Sequence, residues 1–121
     1  MKKIIWYSQH EPLSNQIAEL KRLFGEVEID HQGRQMDDVN KIINYFRQSG
    51  AIEIVVVAPL SVIGKICESG IKPLWAEMAE VDPSDADLVI QKRRGGRLVD
   101  VGYKFIRFRR VIRLNLEFGD L

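Results

Sequence analysis

His10 stands three residues beyond an apolar run, Ile4 to Tyr7, and directly after Ser8 and Gln9. An imidazole titrates near neutrality, so at such a position it can move a proton or hold a phosphate, and the Ser8 hydroxyl can donate to a phosphate oxygen with Gln9 beside it. A second apolar run, Ile52 to Ala58, stops in the same way at Pro59-Leu60-Ser61. Backbone N–H groups in the first turn of a helix after Pro59 can point at an anion, and Ser61 would share that task. A plainer reading stands beside each: Ser8 and His10 satisfy turn backbone while Pro12 starts a helix, and Ser61 is an N-cap. Glu11 reads as solvated.

A third group is basic. Lys92, Arg93, Arg94 and Arg97 cluster around Gly95-Gly96, and Arg107, Arg109, Arg110 and Arg113 follow among Tyr103, Phe105 and Phe108. Cations interleaved with aromatics can bind nucleic acid through phosphate contacts and stacking, or hold a compact ligand with several phosphates. Edge strands also carry Lys and Arg to prevent aggregation, which leaves a solvated or interface edge as the competing reading.

Other chemistry is poorly supported. The chain lacks G-x-G-x-x-G and G-x-x-x-x-G-K-[ST], and Gly25, Gly50 and Gly70 fit helix ends instead of a phosphate loop. Cys67 is the only cysteine, set among Ile63, Ile66 and Gly70, and reads as a structural thiol; His10 and His31 are too few for a zinc site. Asp82, Asp85 and Asp87 lack calcium-loop spacing and read as solvated, while Trp75 reads as packed and Glu77 as solvated or ion-paired. No cofactor is expected.

These residues must be held by a fold that the patterning makes legible. The 121 residues are 45% apolar and 29% charged, which fits one domain with a core of its own and no membrane span. Met1-Lys2-Lys3 with only a few apolar residues after it reads as the start of a strand, not a signal peptide, and the expected compartment is the cytoplasm. Net charge is +1, but residues 1–91 carry nine Lys or Arg against fourteen Asp or Glu, and residues 92–121 carry nine against three. The last quarter should therefore meet something anionic: an outside partner, an acidic face of its own fold, or a second subunit.

Lys3 to Tyr7 reads as a strand, and Leu13, Ile17, Leu20 and Phe24 as the apolar face of a helix closed by Gly25. Glu26 to Ile29 is a second strand; Asp37 or Asp38 caps a helix bearing Val39, Ile42, Ile43 and Phe46, which Gly50 closes. Ala51 to Ala58 lacks alternation, as a strand covered on both faces does, and is placed centrally. A third helix carries Val62, Ile63 and Ile66, and Pro73 to Val81 is a fourth strand. The pattern predicts an α/β fold, a small Rossmann-like or flavodoxin-like parallel sheet of order 2-1-3-4 flanked by helices over residues 1–81. Residues 82–121 then add a basic antiparallel extension to the same domain. Its hairpin joins Leu88–Lys92 to Arg97–Val101, and a long final strand buries Ile106, Phe108, Ile112, Leu114, Leu116 and Phe118 while exposing Arg107, Arg109, Arg113, Asn115 and Glu117.

The opening Ile5-Trp6-Tyr7-Ser8-Gln9-His10-Glu11-Pro12-Leu13-Ser14-Asn15-Gln16, with Leu20 to Gly25, resembles small uncharacterised Rossmann-like proteins of bacterial genomes and mobile elements. More distantly it is similar to the small CRISPR-associated ring nucleases, which carry a Ser-His or Arg-His element after the first strand. The resemblance covers the first 25 residues, and more loosely the strand Ile52 to Ala58 with its helix. It implies metal-independent cleavage of cyclic oligoadenylates by a homodimer, with the ligand across the two sheet edges. The expectation is a protein that binds a nucleotide or other phosphate-bearing small molecule at the first and third strand ends. His10 serves as the reacting group, Ser8, Gln9 and Ser61 orient the anion, and Arg93, Arg94 or Arg97 supplies positive charge. The competing expectations are a nucleic-acid or protein interaction module working through the basic ribbon, and a structural homodimer.

Overall fold

The computed structural model describes residues 1–33, 38–115 and 119–121. Along the chain run β1 (Lys2–Tyr7), α1 (Ser14–Phe24), β2 (Val27–Gln32), α2 (Val39–Ser49), β3 (Glu53–Val56), α3 (Leu60–Glu68), β4 (Leu74–Val81), a 3₁₀ turn (Pro83–Asp85), β5 (Leu88–Arg94) and β6 (Arg97–Arg110). All the strands join one mixed sheet in the order β2-β1-β3-β4-β6-β5. The expected 2-1-3-4 order is its first four members, with β1 parallel to both β2 and β3, and β3 parallel to β4. Among the described residues no helix is long and apolar enough to cross a membrane.

Alternation along β1 sets the layers. Ile4 and Trp6 turn to one face, where they pack with Leu20 of α1, Val55 and Leu74; Ile5 turns to the other, with Ile54 and Val56 beneath Ile42 and Ile43 of α2 and Ile63 and Ile66 of α3. The crossover after β1 therefore runs on one face and the crossover after β3 on the opposite face. Winding reverses between two neighbouring parallel strands, which opens a crevice at their carboxyl ends.

Local chemistry fixes the helix starts. Gln16 Oε1 accepts from Leu13 N–H at 2.8 Å, and the Asp38 carboxylate accepts from Asn40 N–H at 2.9 Å; the alternative cap, Asp37, lies outside the described residues. The expected Ser61 cap is corrected to Pro59, whose carbonyl accepts from Val62 and Ile63 N–H. Proline presets the dihedral angle of a helix entry and has no N–H to leave orphaned. Ser61 consequently sits inside the first turn of α3.

The antiparallel half is built by β4, β6 and β5. The β5–β6 turn uses Gly95 and Gly96 at φ of 58° and 77°, the left-handed pair that matches the twist of a two-residue hairpin. Gly102 has a different reason. A Cβ there would lie 2.8 Å from Ala86 Cβ and 2.9 Å from both Pro83 Cα and Val81 O, because the 3₁₀ turn packs directly on β6. Gly102→Ala is expected to lower stability by about 1–3 kcal/mol in urea denaturation, since backbone atoms must move to admit the methyl group. An unchanged midpoint would mean that this turn is not fixed against the sheet.

The final strand departs from expectation in two ways. It ends at Arg110; Val111 to Asn115 have no regular structure, Ile112 and Leu114 are exposed, and Leu116, Glu117 and Phe118 lie outside the described residues. Arg110 explains the stop, because its guanidinium grips both Glu53 carboxylate oxygens, at 2.5 and 2.8 Å, and the Lys72 carbonyl at 2.8 Å. The strand also carries a bulge: Glu77 pairs with Arg107 and Met78 with Phe105, leaving Ile106 extra. Phe105 and Phe108 thereby share the α1 face, their ring centroids 4.9 Å apart, while Ile106 is left exposed.

Candidate functional site

At the carboxyl ends of β1 and β3, Tyr7 is in register with Val56, and Val57 N–H donates to the Tyr7 carbonyl at 2.9 Å. The turn holding Ser8, Gln9 and His10 and the turn leading to Ser61 thus leave the same sheet edge side by side. The first turn is held at three points. Trp6 Nε1 donates to the His10 carbonyl at 3.0 Å, His10 N–H donates to Ser8 Oγ at 3.2 Å, and His31 Nε2 lies 2.8 Å from the Ser8 carbonyl. A carbonyl only accepts, so that His31 nitrogen carries the proton.

This fastening uses the backbone and the Ser8 hydroxyl, and Ser8 is only 7% exposed. What remains free is the His10 imidazole, which is exposed and has no hydrogen-bond partner among the described residues, together with the exposed Gln9 side chain. A reacting group on a fixed backbone loses little freedom when it engages a ligand.

On the α2–α3 face, the same edge opens into a groove of about 540 Å³ lined by Tyr7, Asn40, Ser61, Lys65 and the capping Asp38. Ser61 and Lys65 are one helical turn apart and project to the same side of α3. A second hollow of about 640 Å³ lies between α3 and the segment after β6, with Ser61 and Lys65 again in its wall beside Arg113 and Asn115. His10 is not part of either wall. Hydroxyl, amide and ammonium donors share the groove with the carboxylates of Asp38 and Glu68, of which Asp38 already accepts from the Asn40 N–H.

Beside it, the Tyr45 hydroxyl donates to Asp30, and Gln32 Nε2 donates to the same carboxylate at 2.8 Å. The hydrogen bond to Asp30 pushes the Tyr45 phenol above its ordinary value, so this group ties α2 to β2 in its protonated form. Burial pushes the Cys67 thiol up, which keeps it protonated and weakly nucleophilic. Two of the acidic loop's carboxylates have structural partners: Asp82 accepts from Ser84 N–H and Oγ, and Asp87 from Phe105 N–H and Asn15. Among the described residues, no three His, Cys, Asp or Glu side chains gather as a metal site would require.

The basic hairpin sits elsewhere. Arg93, Arg94 and Arg97 are exposed on β5 and β6, with β4 standing between β6 and β3. Arg94 pairs with Glu80 at 2.8 Å, and among the described residues no hydrogen bond or ion pair joins the three arginines to His10 or Ser61. The structure brings Ser8, Gln9 and His10 to the edge where Ser61 lies, and leaves the tip arginines outside that group. Sequence reasoning missed Tyr7, Asn40 and Lys65. Only Lys65 had a visible signal, its four-residue spacing from Ser61. Comparison with protein-family models, curated proteins and solved structures finds no match to this chain.

Proposed function

We propose that the chain binds a nucleotide or other phosphate-bearing small molecule at the carboxyl edge of β1 and β3. The carrying observation is the reversal of winding between these strands, with a groove that has Ser61 and Lys65 in its wall and an unengaged imidazole at the same sheet edge. In this reading Ser61 and Lys65 hold phosphate oxygens, with the first N–H groups of α3 facing the same charge. The likeness of the opening segment to the CRISPR-associated ring nucleases extends the proposal to a Rossmann-like, metal-independent phosphodiesterase acting on a cyclic oligonucleotide. A ribose 2′-hydroxyl would attack the adjacent phosphorus as His10 takes its proton. The 5′-oxygen would leave and take that proton back from His10, giving a 2′,3′-cyclic phosphate and a 5′-hydroxyl end with no water consumed.

The test is equilibrium binding of cyclic oligoadenylates, mononucleotides and inorganic phosphate to the purified protein, with chromatography of the products. Lys65→Ala is expected to weaken binding about 10- to 100-fold, the usual loss for one charge-assisted hydrogen bond. Absence of binding across the panel, or a Lys65→Ala variant with wild-type affinity, would defeat the proposal.

A further inference from the structure

The helices α2 and α3 pack over β1 and β3, and the same face of the sheet continues across β4, β6 and β5 with no α-helix above it, crossed at Gly102 by the 3₁₀ turn Pro83–Asp85. Register assigns its residues. Trp75 lies opposite Arg109 and Glu77 opposite Arg107; Ala79 faces Lys104, Val89 faces Gly102, and Arg93 faces Leu98. This continuation is both apolar and exposed, with Leu98 63%, Ile106 50%, Val89 47% and Trp75 39% accessible. Apolar side chains gathered on one exposed surface mark a place where something docks.

Charge identifies the class of partner. Between Trp75 and the 3₁₀ turn with its Asp82 and Asp85, the described residues of this face include Lys104, Arg107 and Arg109 with one acid, Glu77. Glu77 is already shared by Arg107 at 2.7 Å and Arg109 at 3.5 Å, and those guanidiniums hold its carboxyl below the ordinary range. Along β6 the cations from Arg109 to Lys104 run about 15 Å at normal strand rise. A second copy laid face to face would set these like charges against each other, whereas a polyanion would be drawn to them. The exposed indole at Trp75 offers a stacking surface, which an unpaired base fits and a duplex does not.

We infer that the part of this face between Trp75 and the 3₁₀ turn, on β4 and β6, binds single-stranded nucleic acid, with Trp75 stacking a base and Lys104, Arg107 and Arg109 contacting phosphates. This site is separate from the carboxyl-edge groove and stands independently of it. It also differs from the ribbon as the sequence presents it. Tyr103, Phe105 and Phe108 lie on the α1 side, where Phe108 packs against the core and Tyr103 lies under Lys92, so they are not the stacking residues. Arg94 and Arg97 face that side too.

The test is fluorescence anisotropy with a labelled oligothymidylate of about 15 nucleotides, within the site sizes of single-strand binders, and with the corresponding blunt duplex. The expected result is preference for the single strand and affinity that falls steeply with salt. Trp75→Ala should weaken binding about 5- to 150-fold, the range for one stacked base. The double variant Lys104→Gln, Arg109→Gln should reduce the salt slope by about 1.4. Lys21→Gln, which removes an exposed charge on α1, should leave affinity unchanged, and melting curves would verify that every variant is folded. Several outcomes would overturn the inference: no binding, equal loss from Lys21→Gln, wild-type affinity in Trp75→Ala, or displacement of the oligonucleotide by millimolar inorganic phosphate. So would light scattering that shows a dimer broken by Trp75→Ala.

Discussion

Alanine in place of His10 is expected to slow the proposed cleavage of a cyclic oligonucleotide about 10²- to 10⁴-fold, the usual contribution of a positioned acid or base. Binding should change only a few-fold, because the groove donors Ser61 and Lys65 lie on a different element and stay in place. The fold should not suffer, since His10 is exposed and only its backbone N–H and carbonyl serve the turn. Single-turnover kinetics with saturating protein separates the two effects. A variant that cleaves at the wild-type rate removes His10 from the chemistry, whatever the affinity shows. Wild-type protein that binds and releases no product reduces the proposal to a binding module.

The largest stability effect belongs to Trp6. Its ring is buried against Leu20, Val55 and Leu74, and meets Phe108 edge to face at a centroid distance of 6.0 Å. Trp6→Ala is expected to cost about 3–5 kcal/mol, the range for emptying a buried aromatic site. That is a large share of the roughly 5–15 kcal/mol that holds a domain folded. Trp6→Phe keeps most of the packing but loses the indole donor to the His10 carbonyl, a cost of about 1 kcal/mol. Its effect on turnover should therefore exceed its effect on the unfolding midpoint. The stability of both variants is measurable by urea titration followed by circular dichroism, and turnover by chromatography of the products. Equal stability in Trp6→Ala and wild type would contradict the packing described for β1.

Most of the architecture was legible because each local signal agreed with the whole. The unbroken apolar run Ile54 to Val56 announced a strand covered on both sides, and Gly95-Gly96 announced a hairpin. The alternation beyond Ile106 misled for a physical reason. Period two describes a strand in an unbroken ladder, and neither the extra residue at Ile106 nor the ion pair that stops β6 at Arg110 appears in that pattern. Ser61 was misplaced by two positions because a serine is the better cap by type, while Pro59 wins by backbone geometry. The candidate site was readable only in outline. His10 and Ser61 could be assigned to one edge from strand order, but Tyr7 and Asn40 join the groove through the spacing of α2 and α3. Trp75, read as packed, is exposed instead because no helix covers β4 on its side.

The extra residue in β6 has a further effect on how this strand meets solvent. Before Ile106 the even-numbered positions Leu98, Asp100, Gly102 and Lys104 point away from α1; after it the odd-numbered Arg107 and Arg109 do. Parity inverts once, and with that inversion Lys104 joins the arginines while Phe105 joins Phe108. Deleting Ile106 would not shorten the strand so much as re-sort it, sending one set of cations toward the interior. A single inserted amino acid thus separates what this part of the protein hides from what it displays.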